Sequence, residues 1–201
     1  MEVKAQGSIK KTNLLFQDIN DALAAHDHRI QERIYKHYWG YLIGVASRYI
    51  KDRNLAKEVV NDSFVKAFKG MYDFKRLDDV EEFQKTFKAW LAKITVRTAL
   101  DKIRINKSPL NFVDTYENLY VDHVEIHNKL HVEDILKLLF HLPDLHRMVF
   151  NMYEIEGFSH EEISKILVIP SSSSRTYLTR AKQRLRELYL KMNEIADGNS
   201  R

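Results

Sequence analysis

Arginine, threonine and serine gather between residues 171 and 186 at a spacing suited to reading a nucleic acid. Arg175, Thr176, Thr179 and Arg180 recur at steps of one, three and four, so a helix through them carries them side by side. A guanidinium takes guanine O6 and N7 in a bidentate pair, and hydroxyls bond to bases or phosphates. Ser172 and Ser173 open the stretch, Lys182, Arg184 and Arg186 extend it, and Glu187 is its one acid. Residues near the helix start should meet bases, while Lys182 and Arg184 suit phosphate. The bland alternative, a solvated basic helix, fits Arg186 and Lys191 best.

A second set mixes cations with aromatics. Between residues 83 and 107, Lys85, Lys88, Lys93, Arg97, Lys102, Arg104 and Lys107 face one acid, Asp101. Trp90 lies among them, either a core residue or a platform on which an unpaired base stacks beside positive charge. His123, His127 and His131 are spaced four apart, a helical geometry able to hold zinc. No HExxH, no cysteine and no carboxylate beyond Glu125 supports that use, so a polar linker face is the reading. Nucleophile-elbow, Walker A and dinucleotide fingerprints are absent as well, and neither an enzyme nor a cofactor is expected.

These residues need elements to position them. The stretch FSHEEISKILVIPSSSSRTYLTRAKQRLRELY, Phe158 to Tyr189, reads as two amphipathic helices about a tight turn. Ser159 and Glu162 make a capping box. Ile163, Ile166 and Leu167 mark one apolar stripe, and Pro170 cannot continue that helix. Ser171 to Ser174 offer hydroxyls to cap the next helix. There Leu178, Ala181, Leu185 and Leu188 share a face. This is the pattern of a helix-turn-helix whose second helix enters the major groove.

Helical periodicity runs through much of the rest. Ile30, Ile34, Tyr38, Leu42, Val45 and Tyr49 predict a helix over about 28–50, broken by Lys51 to Asn54. Val60, Phe64, Ala67 and Met71 face inward on a second, about 55–71, with Gly70 near its end. Residues 72–82 read as a loop. Phe83, Phe87, Trp90, Leu91, Ile94, Ala99 and Ile103 define a third helix to about 105. Beyond Pro109 the periodicity fades and Asp114, Glu117, Asp122 and Glu125 make the chain acidic. Ile135, Leu136 and Leu139 begin a further short helix, stopped near Leu142-Pro143. Leu145, Val149, Phe150 and Tyr153 make another, ending at Gly157. The expected organisation is a lead-in 1–22, a helical domain 23–107, an acidic linker 108–130, a helix-turn-helix domain 131–192 and a tail 193–201.

Composition agrees with an all-α chain of two small helical bundles. Six glycines and three prolines among 201 residues are too few for a turn-rich β fold. A hydrophobic share of 44% supplies a core. The net charge of +4 permits a nucleic-acid partner without demanding one, so placement of charge matters more. Absence of cysteine fits a reducing compartment. With no signal-like apolar core and no run near the roughly 20 residues of a membrane span, a cytoplasmic site is expected.

Taken in order, these fragments resemble the extracytoplasmic-function (ECF) sigma factors, two-domain specificity subunits of bacterial RNA polymerase. In the first domain the likeness rests on Tyr41-Leu42, Ala46, Tyr49, Asp52-Arg53, Ala56, Glu58-x-x-Asn61-x-x-Phe64 and FKAWLAKITVRTALDKIR. In the second it rests on Leu142-Pro143, Val149-Phe150, Glu156 to Ser159, Glu161 to Ile163, Ile169-Pro170 and Arg175 through Arg186.

The resemblance implies a division of labour. Glu58, Asn61, Asp62 and Phe64 would dock on the clamp coiled coil of the polymerase β′ subunit, with the β subunit a further contact. The family pattern there usually reads Asp, Gln, Phe. Lys88, Trp90, Lys93, Arg97 and Arg104 would open and bind the −10 element, where capture of an extruded base offsets an unstacking cost of a few kcal/mol. Arg97 stands where asparagine is common. Ser172, Ser173, Arg175, Thr176, Thr179, Arg180, Lys182 and Arg184 would read the −35 element. The acidic linker would thread toward the polymerase active centre, and an anti-sigma factor is an expected partner. Val168 replaces the usual turn glycine, so the turn differs or Val168 fills a gap. Ser174 replaces an apolar core residue, and its hydroxyl needs a partner such as a backbone carbonyl one turn back. Two rivals stand beside this reading. A free-standing helix-turn-helix regulator leaves the basic-aromatic helix and Glu58 to Phe64 without a role. A metal-dependent hydrolase would need the His123–His131 face.

Overall fold

The computed structural model describes residues 19, 29–74, 79–106 and 137–198. The fold is all-α, and no strand occurs among the described residues. The acidic segment 108–130, with His123, His127 and His131, lies outside them, as does the lead-in apart from Ile19. The chain divides into two compact units, Met1–Asn106 and Lys107–Arg201.

Among the described residues of the first unit, three long helices pack each on the other two: α1 Arg29–Ser47, α2 Arg53–Gly70 and α3 Val80–Asn106. Asp52 starts α2 by accepting the Leu55 backbone N–H at 2.7 Å. Asp79 does the same before α3, accepting the Glu82 N–H at 2.7 Å. A carboxylate there satisfies an orphan donor and meets the positive helix end. The third helix therefore begins three residues before the predicted Phe83.

The stripe Ile30, Ile34, Tyr38, Leu42 and Val45 is buried. It meets Ala56, Val60, Phe64 and Ala67 of α2, and Phe87, Leu91 and Ala99 of α3, all buried as well. At one end the rings condense: Phe74 lies 5.7 Å from Phe83, 5.2 Å from Phe87 and 5.3 Å from Trp90. Phe87 is wholly buried in this cluster, and its truncation to alanine should cost roughly 3–5 kcal/mol. Gly70 closes α2, but the chain tightens into a 3-10 turn, Met71–Asp73, before departing.

In the second unit residues 137–140 are helical, and Pro143 leads into α4, Asp144–Phe150. Leu139 and Leu142 meet Ala181, while Leu138 meets Leu188. The helix expected to run on to Gly157 instead widens to a π turn over Asn151–Ile155, where Glu156 N–H reaches Asn151 O at 3.0 Å. Tyr153, predicted as an inward residue, is consequently 39% exposed. Gly157 follows at φ 70°, a left-handed position that spares a side chain.

Next come α5 His160–Leu167 and α6 Ser171–Gly198. The capping box forms as read: Glu162 N–H reaches Ser159 Oγ at 3.1 Å, and Ser159 N–H reaches Glu162 Oε2 at 2.8 Å. The turn is closed by Val168 at φ 57°, ψ 49°. Ile169 N–H donates to Ser164 O at 3.2 Å, and the Ser164 hydroxyl returns a bond to Ile169 O at 2.6 Å. Val168 thus adopts the left-handed geometry for which glycine is suited, and fills no gap, being 84% exposed. The serine run lies inside the first turn of α6 rather than before it, because the helix starts at Ser171.

Candidate nucleic-acid interface

On α6 the apolar residues Leu178, Ala181 and Leu188 turn inward and are buried. That orientation leaves Ser172, Arg175, Thr176, Thr179 and Arg180 exposed, with Ser173 half-buried. Thr176 and Thr179 hold their hydroxyls against the backbone, donating to Ser172 O at 3.2 Å and Arg175 O at 3.1 Å. Each oxygen keeps acceptor capacity and the methyl stays outward.

Ser174 is wholly buried beneath this surface. Its partner is not a carbonyl one turn back, as expected, but His160, whose Nδ1 lies 2.9 Å from Ser174 Oγ. Tyr153 stacks on the same imidazole with centroids 4.3 Å apart. Burial and the neighbouring Arg175 guanidinium hold the His160 pKa below its usual value, against a smaller opposite pull from Glu161. The first turns of α5 and α6 are thereby pinned together.

Two of the cations have acidic partners that no count along α6 reveals. Arg175 Nη2 lies 3.3 Å from Glu161 Oε1, and its Nη1 donates to Ser171 Oγ at 3.0 Å. Ser171 in turn donates to Glu161 at 3.4 Å. Hydrogen bonding to its own backbone N–H, then Arg175, Ser159 and Ser171, keeps the Glu161 carboxyl below the ordinary range despite partial desolvation. Lys182 Nζ sits 2.7 Å from Glu154, and Arg184 pairs with Glu187 at 3.2 Å. Glu154 and Glu161 escaped the sequence reading because a pair made across helices leaves no periodic signal.

In the first unit, α3 carries the second set. Lys88 is exposed and holds its ammonium 4.3 Å from the Tyr41 ring centroid, a cation–π contact. Trp90 is half-buried against Phe74 and Phe87, the latter 5.4 Å away. It therefore serves the core while keeping an exposed part. Lys93 is half-buried and Arg97 exposed. Arg104 lies 3.5 Å from Asp101, whose other oxygen is 3.7 Å from Lys66.

On α2, Glu58 pairs with Lys102 at 3.2 Å, and Asn61 accepts the Tyr35 hydroxyl at 3.1 Å. Asp62 is exposed. Phe64 is only 2% exposed, packed against Tyr35 at 4.7 Å and Phe68 at 5.7 Å. Its ring supports the outer face from below and presents no contact surface of its own, as its place on the inward stripe requires. The histidine trio lies outside the described residues, among which no group of three His, Cys, Asp or Glu could hold a metal ion. No described helix is long and apolar enough to cross a membrane.

Comparison with known proteins matches both units. Residues 34–108 fit the model of Sigma-70 region 2, and residues 133–185 fit that of Sigma-70, region 4. The chain is similar to the ECF RNA polymerase sigma factor SigM of Bacillus subtilis, 22% identical over 161 residues, covering 79% of this chain and 94% of that protein. It is also similar to the ECF RNA polymerase sigma-E factor of Haemophilus influenzae, 26% identical over 159 residues, covering 73% and 80%. In fold it is similar to the sigma factor RpoE of Bartonella quintana, solved in complex with the anti-sigma factor NepR. There the TM-score is 0.51 at 22% identity, with 79% of this chain and 95% of that one covered.

Proposed function

The chain belongs to the ECF sigma factors of bacterial RNA polymerase, and from that membership we propose how its residues divide the work of initiation. As a sigma factor it binds core polymerase and directs promoter recognition and opening. The α5–α6 pair reads the −35 element, with Arg175, Thr176, Thr179 and Arg180 toward bases, Ser172 and Ser173 toward bases or phosphates, and Lys182 and Arg184 toward phosphates. The helix α3 engages the −10 element through Lys88, Trp90, Lys93, Arg97 and Arg104. Glu58, Asn61 and Asp62, supported by Phe64, form the docking face for the β′ clamp coiled coil, and the β subunit is a further contact. Functional boundaries follow 23–107 and 131–192, joined by the acidic segment 108–130. The factor contributes binding energy and no bond chemistry, acts in the cytoplasm, and has an anti-sigma factor as a partner, in keeping with the Bartonella relative solved in complex with one.

One observation carries this reading. The second helix of a capped helix-turn-helix turns its exposed Arg175, Thr176, Thr179 and Arg180 away from a buried Leu178–Ala181 face. Such a surface on the first turns of a helix suits entry into the major groove. Run-off transcription by reconstituted holoenzyme, with its start sites mapped genome-wide, supplies the test. Arg175→Ala and Arg180→Ala should each cost about 1–3 kcal/mol per lost base contact and relax −35 preference. Two variants that transcribe every wild-type promoter normally would remove the assignment. Tight, specific duplex binding by the chain without polymerase would favour the free-standing regulator instead.

A further inference from the structure

We propose that Glu161 sets the selectivity of the α5–α6 face by occupying Arg175 with an internal carboxylate that penalises contact with phosphate, while Glu154 weakens phosphate contact at Lys182 whatever the sequence. The inference rests on the −35 reading above. Both acids lie outside the helix they act on, Glu161 on α5 and Glu154 on the π turn. Each sits within ion-pairing distance of a cation assigned to DNA: 3.3 Å for Arg175 and 2.7 Å for Lys182.

The chemistry of exchange separates the two kinds of DNA contact. A phosphate oxygen offers Arg175 or Lys182 about what a carboxylate oxygen already gives. Replacing one by the other gains little, and it leaves an ionised glutamate beside a polyanion. A guanine edge is different, because it presents two acceptors in one plane. The Arg175–Glu161 pair leaves room for that improvement, since Nη2 alone meets Glu161 while Nη1 is held by the Ser171 hydroxyl. Both partners are well exposed, with side chains 58% and 64% accessible, so the pair is weak and readily opened. Arbitrary duplex is thus taxed, and a cognate base is taxed less.

The same contacts aim Arg175 before DNA arrives. Ser171 bonds both Arg175 and Glu161, which closes a three-membered ring on the surface. Glu161 is a positioning residue in this scheme. The α5 capping box is made by Ser159 and Glu162, so it survives when Glu161 is neutralised, although Glu161 adds bonds to its own N–H and to Ser159.

The test uses the full chain as wild type, Glu161→Gln, Glu154→Gln, the double variant and Glu161→Asp. Each is titrated into a labelled duplex of arbitrary sequence across a salt series. The glutamine variants should bind roughly three- to tenfold more tightly, with a salt slope steeper by up to about 0.9 per released cation. Selection from a random duplex library by holoenzymes of Glu161→Gln and of the double variant should then yield broader site preferences. Unchanged affinity, slope and selection in variants of wild-type melting behaviour overturns the inference. So does a Glu161→Asp protein that loosens discrimination as much as Glu161→Gln, since charge would not be the cause. Arg175→Ala in the same selection separates the layers. If it relaxes the selected sequence while the glutamate variants do not, this inference alone fails. If it changes nothing, the −35 reading falls and takes the inference with it.

Discussion

A hydroxyl stands at Ser174 where packing favours carbon, and the residue that tolerates it is His160. The pair, 2.9 Å apart, replaces an apolar contact between α5 and α6 with a directional one. It also makes the unit sensitive to protons. Tyr153, Ser174, Arg175 and Glu161 surround the imidazole, and burial with Arg175 lowers its pKa in the folded chain. The unfolded chain, with histidine near its ordinary ~6.5, binds more protons just below that value, so stability rises with pH there. The contribution is complete above the ordinary histidine pKa and is lost as pH falls through it toward the lowered folded value. Thermal unfolding of wild type and His160→Gln across that window should show a shallower slope for the variant. The residual slope has a second source in His37, which burial also lowers. Equal slopes would mean that His160 is not the sensor. Nothing in the spacing of the sequence pairs residue 160 with residue 174. The unmet hydroxyl of Ser174 could be anticipated, its partner not, because the contact depends on how two helices cross.

Element boundaries were largely legible, and the exceptions have local causes. Apolar periodicity located α1, α2, α3 and α6, and the Ser159–Glu162 box fixed the start of α5. The start of α3 was missed because Asp79 caps a turn that carries no apolar residue of the main stripe until Phe83. The π turn left no trace in periodicity, since one extra residue shifts Tyr153 outward without breaking the pattern before it. The α5–α6 turn was misjudged for an energetic reason: valine is a poor left-handed residue, yet the turn geometry outweighs its preference. A β-branched side chain at φ 57° costs roughly 1–2 kcal/mol and, being exposed, recovers little by packing. Val168→Gly should therefore raise stability by about 1 kcal/mol, some of the relief being offset by glycine's greater unfolded entropy. Denaturant midpoints at unchanged m-value measure it, and a fall in midpoint would show that the valine is favourable where it stands. Phe64 teaches the opposite lesson. Its place on the inward stripe was readable from spacing, and its burial makes it the support beneath the proposed docking face.

At the scale of the molecule, the proposed work is split between two units on one chain. Tethering turns the second DNA contact into an intramolecular one, so neither surface need bind tightly alone. The charge pairs of both units agree with that economy, because Glu58, Asp101, Glu154 and Glu161 each offset a cation beside a proposed contact. The prediction at this scale concerns order of events. Arg97→Ala, an exposed change, should lower transcription from a closed duplex promoter by about tenfold for each lost 1.4 kcal/mol of contact. A template already unpaired at −10 should restore activity. Failure of that template to rescue a well-folded variant would separate Arg97 from melting. The candidate surfaces were legible as runs of one charge, as were the counter-charges Asp101 and Glu187 on the same helices, whereas Glu58, Glu154 and Glu161 were not legible as counter-charges, since they come from neighbouring elements. The length of α6 has a mechanical consequence. Its 28 residues make a rod of about 42 Å, with the proposed reading side chains near one end and Leu188 clamped to Leu138 a little past the middle. Arg175 and Leu188 are separated along that rod by about 20 Å. The proposed reading end is therefore held at several points along the rod, by His160 at Ser174, by Leu139 and Leu142 at Ala181 and by Leu138 at Leu188, and the fit of those contacts sets its aim.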